Sequence, residues 1–171
     1  MSVGSIEVLL RITAREVHPV AGIKGSAGRP IALDHVYRPG TDDDQARRVY
    51  QRDHTVAGGG TLELDLAGAL DDLFSQTVTF TEVVGVAVFN RSALPVSVGP
   101  KAATPFGVGA AGFFADASDK VMVAAASGQI PGVAFLHAPA GVAVTAGTAD
   151  VLEVVNPGGS AVDLTVVIWG R

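Results

Sequence analysis

The chain contains no cysteine in its 171 residues. That excludes disulfides and thiolate metal sites and leaves the redox compartment open. Aromatic residues make up 6%, with one Trp and two Tyr, so a sugar-binding groove has few flat rings to draw on. Charged residues are sparse at 17%. No stretch approaches the ~20 consecutive apolar residues of a membrane-spanning helix, so no membrane span is expected. Positive charge is short in the body of the chain. Residues 57–171 hold 4 Lys+Arg against 10 Asp+Glu, whereas residues 1–56 hold 8 against 7, within a net charge of −5. An acidic body lacks the cations that phosphate neutralisation requires, and nucleic-acid binding is not expected. The opening MSVGSIEVLLRIT lacks the charged and apolar regions of a secretory signal, and none is expected.

What is plentiful is Ala, Val and Gly. At 48% hydrophobic the chain is too apolar for disorder, and its weakly charged surface could hide area in an oligomer. Its last third, VAFLHAPAGVAVTAGTADVLEVVNPGGSAVDLTVVIWGR, is three β-rich runs separated by Gly/Pro turns. Val162 to Trp169 sets Asp163 and Thr165 on one face against Val162, Leu164 and Val166 on the other. Such alternation beside Asn156-Pro157-Gly158-Gly159 predicts an antiparallel hairpin with one wet face. Thr61 to Leu66 alternates likewise, Leu62, Leu64 and Leu66 against Glu63 and Asp65. Further strands are predicted at Ser5–Thr13, Arg47–Val56, Thr77–Phe80, Val83–Asn90, Leu94–Val98, Lys120–Ala125, Val133–His137, Gly141–Thr145 and Ala149–Val155. Ala67 to Phe74 reads as a turn or two of helix. Many short strands and almost no helix predict an all-β, antiparallel sandwich, jelly-roll-like. Residues 47–171 form that sandwich. Residues 1–46 are a first strand plus an extended arm or long loop, because residues 18–46 mix X-Pro turns and glycines without a sustained period.

No catalytic constellation stands out. Asp42-Asp43-Asp44 could chelate calcium but lacks the spacing of a calcium loop, and reads as a solvated acidic turn. His18, His35, His54 and His137 show no paired metal spacing, and Asp53 and His54 point to opposite faces of one strand. Gly58-Gly59-Gly60 lacks the Lys-Ser/Thr of a phosphate loop, and Gly107 to Gly112 matches G-x-G-x-x-G without β-α-β context. Glu63, Asp65, Asp71 and Asp72 could pair for glycoside hydrolysis, yet two of them lie on a solvent face. No catalytic residue, cofactor or metal ligand is assigned. The loop GPKAATPFGVGAAGFFADAS carries Phe106, Phe113 and Phe114, which either form a contact surface or plug the end of the sandwich. In the arm, Tyr37 and Arg38 are the expected anchors, since Tyr and Arg dominate interface energetics.

The stretch Thr61-Leu-Glu-Leu-Asp-Leu-Ala-Gly-Ala-Leu-Asp-Asp-Leu-Phe74, followed by Val78-Thr-Phe80 and Val83 to Asn90, resembles a family of small virion proteins of tailed bacteriophages. The shared pattern is L-D-L-A-G-x-L-x-D-x-F ahead of a Val-rich strand. The closing Ala140 to Gly159 and Val166-Val-Ile-Trp-Gly170 are similar to that family's ending. The resemblance covers residues 50–171, and residues 1–46 do not match. It implies a non-enzymatic β-sandwich on the virion surface that decorates the head, bound to the major capsid protein or other virion subunits. A homo-oligomer, best a trimer, is the expected state. A head spike, a fibre or a tail component binding the host surface is the second expectation, and a small carbohydrate-acting enzyme on the same fold the third.

Overall fold

The computed structural model describes residues 6–12, 16–20, 23–27, 31–68 and 70–171. Among them every regular element is a strand. Eight strands build the sandwich: β5 (Arg48–Val56), β6 (Thr61–Asp65), β9 (Glu82–Asn90), β10 (Val96–Pro100), β11 (Val121–Val123), β12 (Gly132–Ala143), β13 (Val151–Val155) and β14 (Val162–Gly170). The front sheet runs β5-β14-β9-β12 and the back sheet β6-β13-β10-β11, with every pairing antiparallel. Counted in chain order, the sheets are 1-8-3-6 and 2-7-4-5. Consecutive strands cross between sheets except the fourth and fifth, which pair within the back sheet, and the last lies beside the first. That is the double Greek-key winding of a jelly roll.

The side-chain alternation fills the space between the sheets. Val162, Leu164, Val166 and Ile168 of β14 meet Leu64 of β6 and Leu152 and Val154 of β13, all essentially inaccessible. Asn156 secures the β13–β14 turn: its Nδ2 donates to the carbonyls of Val56, Ala57 and Ser160. There the glycine runs serve close approach. A Cβ at Gly58 would lie 2.4 Å from the Gly159 backbone, so two Gly-rich turns pass where no larger residue fits.

Three sequence expectations change. Ala67 to Phe74 is not helical. β7 (Leu70–Asp71) and β8 (Thr77–Val78) form a small hairpin there, because Leu70, Val78 and Phe80 all turn into the core. Val133–His137 and Gly141–Thr145 are one strand, β12, interrupted by a bulge between His137 and Val142 where Gly141 takes φ +84°. Residues 18–46 are not one long loop. β1 (Ile6–Ile12) pairs β4 (Ile31–Tyr37), and β2 (Glu16–Val20) pairs β3 (Ile23–Ala27). Ile6 lies opposite Tyr37, Ile12 opposite Ile31, Glu16 opposite Ala27 and Val20 opposite Ile23. Each step up one strand is matched by one step back on the other. Both ladders therefore share a single antiparallel register, that of a two-stranded ribbon which, among the described residues, pairs with no strand of the sandwich.

Candidate interaction surface

The base of the ribbon rests on the outer face of the front sheet. On β14 the outward positions run Asp163, Thr165, Val167, Trp169, polar at one end and apolar at the other. At the polar end Thr165 and Thr55 donate hydrogen bonds to Asp53 and Asp163, at 2.6 and 2.7 Å. At the apolar end Trp169 lies opposite Gly85 of β9, and Gly85 lies opposite His137 of β12. The glycine makes the room: a Cβ there would sit 2.0 Å from the indole Cζ2. The indole packs against Phe135 with ring centroids 5.7 Å apart, and against His137 at 6.4 Å.

The ribbon closes over this cluster. Tyr37 is fully buried, its ring 6.4 Å from Trp169. Its hydroxyl hydrogen-bonds His137 Nε2. The His35 ring stands edge-on to Tyr37 at 4.4 Å, and its Nε2 is buried without a hydrogen-bond partner among the described residues. Ile6 and Val8 flank the contact over Val84, Ala87 and Trp169. Glu7, Leu9 and Val36 face away, with Leu9 64% and Val36 50% exposed, as the strand period demands.

Burial governs the electrostatics here. It raises the Tyr37 hydroxyl above the ordinary tyrosine value. The Trp169 N–H opposes that rise from outside good hydrogen-bond geometry, and the Asp44 carboxylate adds to it. Burial lowers His137 below the usual histidine value; His35 lowers it further, and Asp44 works the other way. At neutral pH Tyr37 therefore donates its proton to the lone pair of a neutral imidazole. The root of the ribbon is fastened separately. The buried Arg171 guanidinium donates to Glu82 Oε2 at 2.7 Å, to the Ala140 carbonyl at 2.6 Å and to the Asp42 carbonyl. The Asp44 N–H donates to the Pro139 carbonyl at 3.3 Å.

Of the expected contact residues, Tyr37 lies at the heart of this surface, but its ring is spent on its own chain. Arg38 is exposed beside it and bridges to Gln45. The phenylalanines need correction as contact residues. Phe106 and Phe114 are buried in the main core and Phe113 is half-buried against it, with Phe106 and Phe113 centroids 6.0 Å apart. An apolar ring gains more from closing the end of a preformed core than from facing water, and the loop folds to allow it. The Phe114 N–H donates to the Gly107 carbonyl and the Gly109 N–H to the Phe114 carbonyl, with both glycines at positive φ. The G-x-G-x-x-G match thus closes on itself. A shallow cleft of about 360 Å³ remains beside it, lined by Val108, Ala111, Val142 and Ala149 among others.

The remaining polar candidates are held in local structure. The Asp42-Asp43-Asp44 stretch is an exposed turn in which the Gln45 N–H donates to the Asp42 carbonyl. Asp65 accepts from the Gly68 N–H, and Asp72 from the N–H groups of Phe74 and Gln76. Glu63 pairs with Lys101 at 2.6 Å. Asp53 and His54 do face opposite ways: Asp53 bonds Thr165 outside, while His54 bonds Tyr50 inside at 2.7 Å. Burial lowers His54 and pushes Tyr50 up to about 12. His18 lies on β2, with its side chain outside the described residues.

Sequence reasoning did not connect His35, His137 and Trp169. One signal was present: Trp169 continues the outward face that begins with Asp163 and Thr165. A large ring in line with wet positions calls for a cover. Compared with protein-family models, with curated proteins and with solved structures, the chain finds no match.

Proposed function

We propose that this protein is a structural component of a tailed-phage virion that decorates the head, adhering as a homo-oligomer, best a trimer, to the major capsid protein. The observation that carries this reading is the ribbon. A self-paired β-ribbon rooted on a rigid jelly roll is a reaching device, and it presents Leu9 and Val36 outward at its base. Among the described residues both of its strands have one unpaired edge, which can add to a strand of a neighbouring subunit. Repetition over a lattice allows each contact to be weak while overall attachment is firm. Glu63, Glu82 and Glu153 are engaged in ion pairs and Asp65, Asp72, Asp116 and Asp119 in turns, which suits a structural role.

The test replaces residues 13–30 by Asn-Gly, a two-residue connection suited to joining β1 directly to β4. The shortened chain should fold, with its far-UV circular dichroism still that of a β protein. Mixed with heads assembled from the major capsid protein of the same virion, the full chain should co-sediment and the shortened one should not. Undiminished attachment of the shortened chain, or attachment of the full chain to tails and not to heads, would overturn the proposal.

A further inference from the structure

The junction of ribbon and sandwich joins two histidines through one tyrosine. His35 and Tyr37 come from β4, His137 from β12, and Trp169 forms the floor. The Tyr37 hydroxyl bonds His137 Nε2, and His35 Nε2 is buried without a partner among the described residues. We propose that this cluster is a pH-operated latch: with His137 neutral the ribbon base lies on the front sheet, and with His137 protonated it lifts away.

The geometry supplies the switch. Neutral His137 accepts from Tyr37; once protonated, its Nε2 can only donate, so the Tyr37 O–H loses its acceptor. The His137 imidazolium would then face a buried tyrosine hydroxyl that can no longer donate to it, over Trp169 and Phe135, which offer no negative charge. The groups that act on the pair can be named. From the loop after β4, Asp44 is the carboxylate that favours protonation of His137. The nearby Arg171 cation is neutralised by Glu82. Glu7 of β1 faces away from the cluster. The added charge therefore has one exposed carboxylate, Asp44, to offset its burial.

The sign follows from the desolvation of His137, which binds its proton less readily in the closed state than in water. The closed state is fully favoured above the ordinary histidine pKa of about 6.5 and loses that advantage as pH falls below it. The Arg171 guanidinium also donates to the Ala140 and Asp42 carbonyls, backbone acceptors whose charge is the same at every pH. The root therefore stays attached while the base opens, and the motion is a lift rather than a detachment.

The single Trp makes the latch visible, because Trp169 is its floor. Between about pH 7.5 and about pH 5, Trp169 emission should shift to the red, and hydrogen exchange of residues 31–37 should accelerate about tenfold or more. Protection of β9 and β14 should persist. The double variant His35→Gln/His137→Gln, which leaves no imidazole at the junction, should show neither change. Should that variant fail to close at neutral pH, Tyr37→Phe serves instead: at about pH 7.5 it should raise exchange of residues 31–37 several-fold and leave β9 and β14 protected. The latch is overturned if emission and exchange of the wild-type chain are the same at both pH values. It is also overturned if the acid change persists in a well-closed double glutamine variant, or if β9 and β14 open together with the ribbon. Tyr37→Phe exchange equal to wild type would refute it as well.

Discussion

The two outer faces of the sandwich solve the same problem differently. The back sheet meets water with charge. Glu63 and Glu153 lie directly opposite each other, and Lys101 and Lys120 reach over to them at 2.6 Å each. Without the lysines, two carboxylates would face each other across the strands, a destabilising cross-strand pair. Hydrogen bonding to Glu63 holds the Lys101 ammonium above the usual lysine range. The front sheet, at its Trp169 end, carries Val49, Val84, Ala87, Phe135 and Val167, and is largely shielded from water there because the ribbon base lies on it. The back face is finished by its own side chains. The front face is finished by another segment of the chain, so its stability depends on a contact that can open.

That contrast can be broken from its strongest point. Trp169→Ala removes the floor of the front-face cluster and should cost about 3–5 kcal/mol, read as a fall in the urea midpoint followed by circular dichroism. A loss comparable to that of an exposed substitution would mean that the ribbon contributes nothing to burying the ring. Gly85→Ala sharpens the test, since it adds one methyl group where the indole lies and leaves every polar group in place. The expected cost is about 1–3 kcal/mol, with faster hydrogen exchange in residues 31–37 as the displaced ring pushes on Tyr37. A variant as stable as wild type, with an unchanged Trp spectrum, would contradict the packing.

The back face should yield the smallest effects. Lys101→Ala removes an exposed ion pair and should change stability by less than about 1 kcal/mol, shrinking further in high salt. Lys120→Ala should cost more, because that lysine also donates to the Pro100 carbonyl and its partner Glu153 is largely buried. Equal midpoints for the two lysine variants would show that burial does not separate the pairs. The ordering Trp169, Gly85, Lys120, Lys101 is itself the prediction, measured on one denaturation series.

Legibility follows the same division. The strands of the sandwich could be read because alternation is local: Leu64 and Leu66 against Glu63 and Asp65 announce an inner and an outer face within a few residues. The ribbon could not. Pro19, Gly22, Gly25, Gly28 and Pro30 resemble loop punctuation, and a partner such as Tyr37 lies far along the chain from Ile6. The Phe106–Phe114 loop was read as open to two fates, since apolarity says that a ring will be buried and not by what. The helical reading of Ala67 to Phe74 failed because local propensity yielded to the core contacts of Leu70 and Val78. His35 and His137 showed no motif because their meeting depends on which strand the ribbon covers.

By itself the sequence determined an all-β antiparallel chain, which side of most strands is apolar, and where the main turns fall. These follow from a two-residue period and from the backbone freedom of Gly and Pro, both properties of neighbouring residues. Only the tertiary structure decided the jelly-roll strand order, the single register of the ribbon, and the seating of Tyr37 between His137 and Trp169. Those depend on contacts that reach beyond a hundred residues along the chain. A strand's hydrogen-bonding edges carry no side-chain address, so its partner is chosen by the packing of the whole fold.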